Sequence, residues 1–231
     1  MSAALDGPRI PAAAGRTSQL VVFLHGYGAD GADLIELGRQ WRALLPEAAF
    51  VSPHAPDRAP GAPMGRQWFA LSNRSPDDTA GGGERWTGAV KARGAIDEFL
   101  DAELKRLGLD DSKLALVGFS QGCMMALHVG LRRPRAPAAI LGFSGLLVGP
   151  EHLSEATARD ARGAAPPVLL IHGDQDPMIP FDAMFMAAEA LAGASIPTQW
   201  HLSPGIGHGI DAEGLRQGGL FLAKAFADRK R

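Results

Sequence analysis

The sequence predicts an α/β protein built on a mostly parallel sheet of six or seven strands, with helices on both faces. Two observations lead there. Short apolar runs without polar alternation recur along the chain, as expected of strands buried on both faces of a parallel sheet. Stretches with helical spacing fall between them, so strand and helix alternate along nearly the whole length.

Taken in order, residues 1–17 are rich in Ala, Pro and Gly and are expected to form an irregular arm. Residues 18–231 are expected to form one domain, since no internal repeat or domain-sized shift in composition is visible. Leu20-Val21-Val22-Phe23-Leu24 is the first strand and runs into His25-Gly26-Tyr27-Gly28. Strands are also expected over 49–51, 114–117, 138–141 and 168–171, with a weaker one over 198–202. Helices are expected over 33–45, 121–132, 182–191 and 213–227. The clearest helix has Trp86, Val90, Ile96, Phe99, Leu100, Leu104 and Leu107 along one face, followed by Gly108 as a stop. Between Pro53 and Arg85 stand five Pro and five Gly with little periodicity. A loop that long inside a domain is usually functional or disordered. Trp68, Phe69 and Leu71 are too apolar for a solvated linker, so it is expected to cover the active site.

Composition excludes several function classes. Of 231 residues, 46% are hydrophobic and 21% charged, which is globular rather than disordered. Lys+Arg at 23 against Asp+Glu at 25 gives a net charge of -2, leaving no footprint for nucleic acid. Apolar runs fall far short of the roughly 20 residues that span a bilayer, so no stable membrane insertion is expected. The single cysteine, Cys123, allows no intramolecular disulfide and no cysteine-based zinc site. With no basic segment leading into an apolar run in the first 19 residues, a cytoplasmic setting is expected.

The chemistry centres on Gly118-Phe119-Ser120-Gln121-Gly122, a G-x-S-x-G pattern between a predicted strand and a predicted helix. A turn this tight strains the serine backbone and leaves no room for side chains at 118 and 122. A serine hydroxyl needs a base to become nucleophilic. The chain order Ser, acid, His leaves only His201 and His208 late enough. His201 falls inside a predicted strand, whereas His208 sits in the flexible Pro204-Gly205-Ile206-Gly207-His208-Gly209 loop, so His208 is the expected base. After the strand at 168–171, His172-Gly173-Asp174-Gln175-Asp176-Pro177 offers two acids. Asp174 is expected to bond local amides in the turn. Asp176, further out, is better placed to orient His208. An oxyanion needs two amide donors: that of Gln121, and one from the loop at 25–30, where glycines flank Tyr27.

With these residues in view, the chain resembles the small carboxylesterase, lysophospholipase and acyl-protein thioesterase family of α/β-hydrolases from about Leu20 to Ala227. The marks are Leu24-His25-Gly26-Tyr27-Gly28-Ala29-Asp30, Trp68-Phe69, Gly118-Phe119-Ser120-Gln121-Gly122, His172-Gly173-Asp174-Gln175-Asp176-Pro177 with Ile179-Pro180, and Gly207-His208. The resemblance implies a minimal fold without a separate cap domain and a triad of Ser120, Asp176 and His208. It implies an oxyanion hole from the amides of Tyr27 and Gln121, and an acyl pocket lined by Trp68 and Met178. It implies no cofactor or metal and a small-molecule ester as substrate, and leaves a homodimer open. The expected reaction is hydrolysis of short- to medium-chain carboxylic esters through an acyl-enzyme. Acyl-protein thioesters and lysophospholipids are the alternatives within the class. A binding module that keeps the fold without the chemistry is the alternative outside it.

Four features are read as structural. Ser144, in Gly142-Phe143-Ser144-Gly145, lacks a second glycine and a following helix. Cys123 is expected to be a small buried hydrophobe. The other histidines show no metal-ligand spacing, and Gly81-Gly82-Gly83 is expected to be a hinge or turn.

Overall fold

The computed structural model describes residues 4–71, 82–157 and 165–229. In chain order its strands are β1 (Arg9–Ile10), β2 (Gln19–Leu24), β3 (Ala48–Val51), β4 (Asp57–Arg58), β5 (Arg66–Gln67), β6 (Leu114–Phe119), β7 (Ala139–Phe143), β8 (Val168–Gly173) and β9 (Thr198–Ser203). Its helices are α1 (Gly31–Trp41), α2 (Gly82–Leu107), α3 (Gln121–Gly130), the five-residue α4 (Leu153–Thr157), α5 (Asp182–Gly193) and α6 (Ala212–Asp228). Seven strands form one sheet in the order β1-β3-β2-β6-β7-β8-β9, parallel throughout except for β1, which runs antiparallel to β3. β4 and β5 pair separately as a short antiparallel ribbon.

The unbroken apolar run of β2 follows from its position between two packed faces. Leu20, Val22 and Leu24 belong to the core shared with α2, α3 and α5. Val21 and Phe23 belong to the opposite core, with Leu34, Ile35 and Trp41 of α1 and Leu222 and Phe226 of α6. Alternate side chains point to opposite faces, so a strand covered on both sides has no position left for a polar residue. Side-chain caps start two helices: Asp30 accepts from the Ala32 amide at 2.8 Å, and Asp211 from the Gly214 amide at 3.0 Å. At the end of α2, Gly108 takes φ +67° and the Leu109 amide returns to the Leu104 carbonyl, so the expected stop holds.

Three expectations need correction. The arm at 1–17 is not wholly irregular, because Arg9–Ile10 adds an edge strand to β3. Ile10 buries against the α1–α6 face, and Arg9 reaches the buried Glu103 carboxylate on α2 at 2.8 Å. The α2 helix begins at Gly82 rather than near Trp86. Glu84 complements the positive end of the helix, and Thr87 Oγ1 donates to the Gly83 carbonyl. Gly82 and Gly83 are therefore helical, while Gly81 lies outside the described residues. Part of the expected 53–85 loop is likewise ordered structure, namely the β4–β5 ribbon and the first turn of α2; residues 72–81 lie outside the described residues.

Register then decides where chemistry can sit. Leu24 pairs with Gly118, Phe119 with Phe143, Phe143 with Ile171, and Gly173 with Ser203. The carboxyl ends of β2, β6, β7, β8 and β9 thus lie side by side, and the loops leaving them share one edge of the sheet. In open α/β sheets this is the edge where ligands bind.

Candidate active site

Ser120 occupies the single residue between β6 and α3, with φ 53° and ψ -117°. Positive φ is rare for a side chain-bearing residue, and such strain persists only where the surroundings over-determine it. Here the Ser120 amide is held by the Phe143 carbonyl at 2.9 Å, and its carbonyl accepts from the Cys123 amide at 3.0 Å. A Cβ on Gly118 would collide with the Gly122 backbone, and one on Gly122 with the Leu24 carbonyl. The turn therefore closes only with glycine at both positions. The helix that begins at Gln121 directs its partial positive charge at the serine.

Asp176 and His208 meet across 32 residues of chain, with Oδ2 2.7 Å from Nδ1. A carboxylate only accepts, so Nδ1 carries the proton, and in the neutral ring the lone pair is left on Nε2. Asp176 Oδ1 accepts from the Met178 and Ile179 amides at 2.8 and 3.0 Å. Burial by itself raises the Asp176 pKa, but these two amides and His208 outweigh it and hold the carboxyl below its usual range. The Phe119 ring packs against the His208 imidazole at 4.9 Å, which brings the histidine to the end of the strand that Ser120 follows.

The loop carrying His208 is sewn to the loop carrying Asp176. Asp174 receives the Gly205 amide at 2.6 Å and gives its own amide to Ser203, and the Gln175 amide reaches Ile206. Asp174 thus bonds a backbone amide, as expected, but in the histidine loop rather than in its own turn. Ser144, at φ 46° just past β7, donates to the Gly209 carbonyl at 3.3 Å. Ser144, read from the sequence as structural, therefore braces the residue after His208.

The amides of Tyr27 and Gln121 have no hydrogen-bond partner among the described residues and remain available as donors. The Tyr27 loop is fixed from outside. The Gly28 amide bonds Arg66 O, the Arg66 amide bonds Ala29 O, and Tyr27 OH bonds Pro60 O. His25 is fully buried; its Nε2 accepts from the Ala55 amide at 3.0 Å and its Nδ1 faces the Gly26 carbonyl at 2.8 Å. Nε2 is an acceptor there, so the ring is neutral, and burial lowers its pKa accordingly.

Trp68 is 2% exposed; its indole donates to the His25 carbonyl and its amide to Gln121 Oε1, both at 2.9 Å. It lines a groove with Phe69, Leu71 and, on α2, Gly88, Lys91 and Ala92, a groove that Met178 does not line. Met178 lies instead beside Asp176 and is 61% exposed. Cys123 is buried, with its thiol pushed up to about 12, so it is not poised as a nucleophile. Among the described residues no His, Cys, Asp and Glu cluster has the makings of a metal site, and no helix is long and apolar enough to cross a membrane.

Sequence reasoning passed over three contributors to this site: the Gln121 side chain, His25 as a pin for the Tyr27 loop, and His172 beside Asp176. The first two are single polar residues in buried segments, where a partner cannot be read from spacing. His172 carried one usable signal, a histidine four residues before the expected acid.

A strained serine elbow at the central strand of this sheet, with an Asp–His pair on the last two strand-end loops, is the arrangement of an α/β-hydrolase. The phospholipase/carboxylesterase family profile matches residues 5–226, and the chain belongs to that family. Acyl-protein thioesterase 1 of Gibberella zeae is 28% identical over 230 residues, 97% of each protein. Esterase YpfH of Escherichia coli is 28% identical over 202 residues, 86% of this chain and 79% of its own. The crystal structure of esterase PE8 matches with a TM-score of 0.87 at 44% identity, covering 96% of this chain and 99% of that one.

Proposed function

We propose that the protein is a serine esterase that hydrolyses short- to medium-chain carboxylic esters through an acyl-enzyme. The observation that carries this reading is the 2.7 Å contact between Asp176 Oδ2 and His208 Nδ1, made where Phe119 brings the imidazole to the Ser120 strand end. His208 Nε2 takes the Ser120 proton as Oγ bonds to the acyl carbon, and the carbonyl electrons move onto oxygen. The amides of Tyr27 and Gln121 receive that oxyanion. The intermediate collapses, the alkoxide leaves with the proton from His208, and the serine holds the acyl group. Water then attacks, His208 takes its proton and returns it to Ser120 Oγ, and the acid departs. Asp176 keeps Nδ1 protonated and stabilises the imidazolium between the two transfers.

A thioester is the second reading, favoured by the acyl-protein thioesterase that aligns along 97% of this chain. The same machinery serves it, with a thiolate as leaving group. The lone, buried Cys123 favours a reducing, cytoplasmic setting.

The test is labelling by a fluorophosphonate, followed by turnover of an acyl oxyester and its matched thioester. Labelling at Ser120 with faster oxyester turnover is the expected result. Faster thioester turnover selects the second reading, and absence of labelling leaves a binding module.

A further inference from the structure

Asp176 accepts three hydrogen bonds, and a further group that takes no part in the reaction above lies against its carboxylate. Besides the amides of Met178 and Ile179 on Oδ1 and His208 Nδ1 on Oδ2, a second imidazole reaches the carboxylate. His172 Nε2, at the end of β8, lies 3.1 Å from the same Oδ2 and 2.9 Å from the Ile179 carbonyl oxygen. The side chains of His172 and Asp176 are 1% and 0% exposed, so water does not compete for these positions.

Both neighbours of His172 Nε2 are acceptors. A bare lone pair at that nitrogen would face two oxygens, one of them charged, so Nε2 holds the proton and donates. That N–H bonds the Ile179 carbonyl and its edge lies against Oδ2, so one carboxylate oxygen meets two imidazoles with different duties. His208 gains and loses a positive charge during each turnover, while His172 donates throughout. By standing 3.1 Å from Oδ2, His172 closes one side of that oxygen and leaves the other for His208. By drawing density from that oxygen, it makes Asp176 a weaker base and keeps the shared proton on His208 Nδ1.

We propose, on the triad reading above, that His172 is a positioning residue that fixes how Asp176 meets His208 and thereby sets the pH at which His208 can act as base. The surroundings make that pH readable. The adjoining segments carry Asp174, bonded to the Gly205 amide, and Asp211, bonded to Ser203 Oγ. From α3, Cys123 lines the same small cavity as His172, and its thiol is pushed up to about 12, neutral across the working range. The α5 residues lining that cavity, Met184 and Ala187, carry no charge.

The experiment is a pH profile of kcat/KM on the full chain with an aryl ester, for three variants. His172→Phe fills the volume without a donor. His172→Gln sets an N–H where Nε2 stands, whereas His172→Asn sets one only as far as Nδ1. Without the His172 donor, the carboxylate holds the His208 imidazolium more strongly. The acid limb of His172→Phe and His172→Asn should move up by about half a pH unit or more. Their kcat should fall about tenfold with KM nearly unchanged, since His172 does not face substrate. His172→Gln should keep the limb in place and restore most of the rate. A purely structural role would lower thermal stability in all three and leave the limb where it is. A folded His172→Phe with the parental limb overturns the proposal. If that variant does not fold, the Gln–Asn comparison decides, and identical limbs in the two overturn it. Ser120→Ala, run alongside, separates the two failures. If it still turns over, the esterase reading falls; if it is inactive while the His172 variants keep the limb, this inference alone falls.

Discussion

Gln121 and Trp68, 53 residues apart, are joined by a buried hydrogen bond from the Trp68 amide to the Gln121 side-chain carbonyl at 2.9 Å. The same side chain donates to the Phe69 carbonyl at 2.8 Å, so one amide brackets the peptide group between Trp68 and Phe69. Trp68 in turn holds the His25 carbonyl through its indole. The residue whose backbone N–H is proposed as one oxyanion donor thus also restrains, through Trp68 and His25, the loop that presents the other.

Gln121→Leu therefore removes no catalytic atom yet should impair the reaction. It leaves a buried N–H and a buried carbonyl without partners, at about 1–3 kcal/mol for each group. The melting temperature should drop by several degrees and kcat by at least about tenfold. Thermal unfolding and steady-state kinetics measure both. An unchanged kcat in a destabilised protein would confine this bracket to stability.

The strain at Ser120 makes a second prediction, in which stability and activity move in opposite directions. A positive φ costs roughly 1–3 kcal/mol for a side chain-bearing residue and little for glycine. Ser120→Gly should lose turnover by several orders of magnitude and unfold at higher denaturant than the parent. Ser120→Ala should lose as much activity without that gain. Cys123 cannot take over, since its thiol is buried and pushed up to about 12. Equal stability for the Gly and Ala variants would mean that the elbow is not strained.

Much of this site was legible in the sequence because its parts obey local rules. A two-sided strand must be apolar throughout, which exposes 20–24, 114–117 and 168–171. An elbow between a parallel strand and a helix needs glycine on both sides of its serine, which exposes Ser120. Chain order leaves His201 and His208, and the loop setting of the second singles it out as the proposed base. The remainder depended on contacts with no local pattern. Arg9–Ile10 is a strand only because β3 offers it an open edge and Glu103 a countercharge. Gln121 could be read for its backbone, since position after the serine defines that role, but not for a side chain that reaches a loop 53 residues away.

The two acids of the 174–176 turn should separate cleanly. Asp176→Asn places an amide against His208 Nδ1 and favours the wrong tautomer, so kcat should fall by about 10⁴. Asp174→Asn keeps an oxygen for the Gly205 amide, and its kcat should fall less than about tenfold, with a modest loss of stability. Asp176 also carries a pH signature. Its carboxyl lies below its usual range in the native state, so as acidity rises the unfolded chain takes up the proton first. The stabilisation is fully present above the unfolded value near about 4 and is lost as pH falls through the lower native value. The denaturant midpoint of the parent should decline through that window, and that of Asp176→Asn should decline less. Parallel declines would place the acid sensitivity elsewhere.

Met178 bears on acyl-chain length. The residue is 61% exposed beside the Asp–His pair, an apolar surface at the proposed site whose side chain has no hydrogen bond of its own to lose. Its amide bond to Asp176 Oδ1 is made by the backbone, so Met178→Ala keeps the triad geometry. If the thioether packs on a bound acyl chain, truncation removes contact only for chains long enough to reach it. Each methylene buried is worth about 0.8 kcal/mol, so losing two such contacts costs roughly 1.6 kcal/mol, or roughly 15-fold in kcat/KM. Octanoyl esters should show that loss and acetyl esters almost none. Trp68→Ala would be a poorer probe, since it also cuts the bond to the His25 carbonyl and disturbs the Tyr27 loop. An equal effect of Met178→Ala on acetyl and octanoyl esters would remove Met178 from the acyl site.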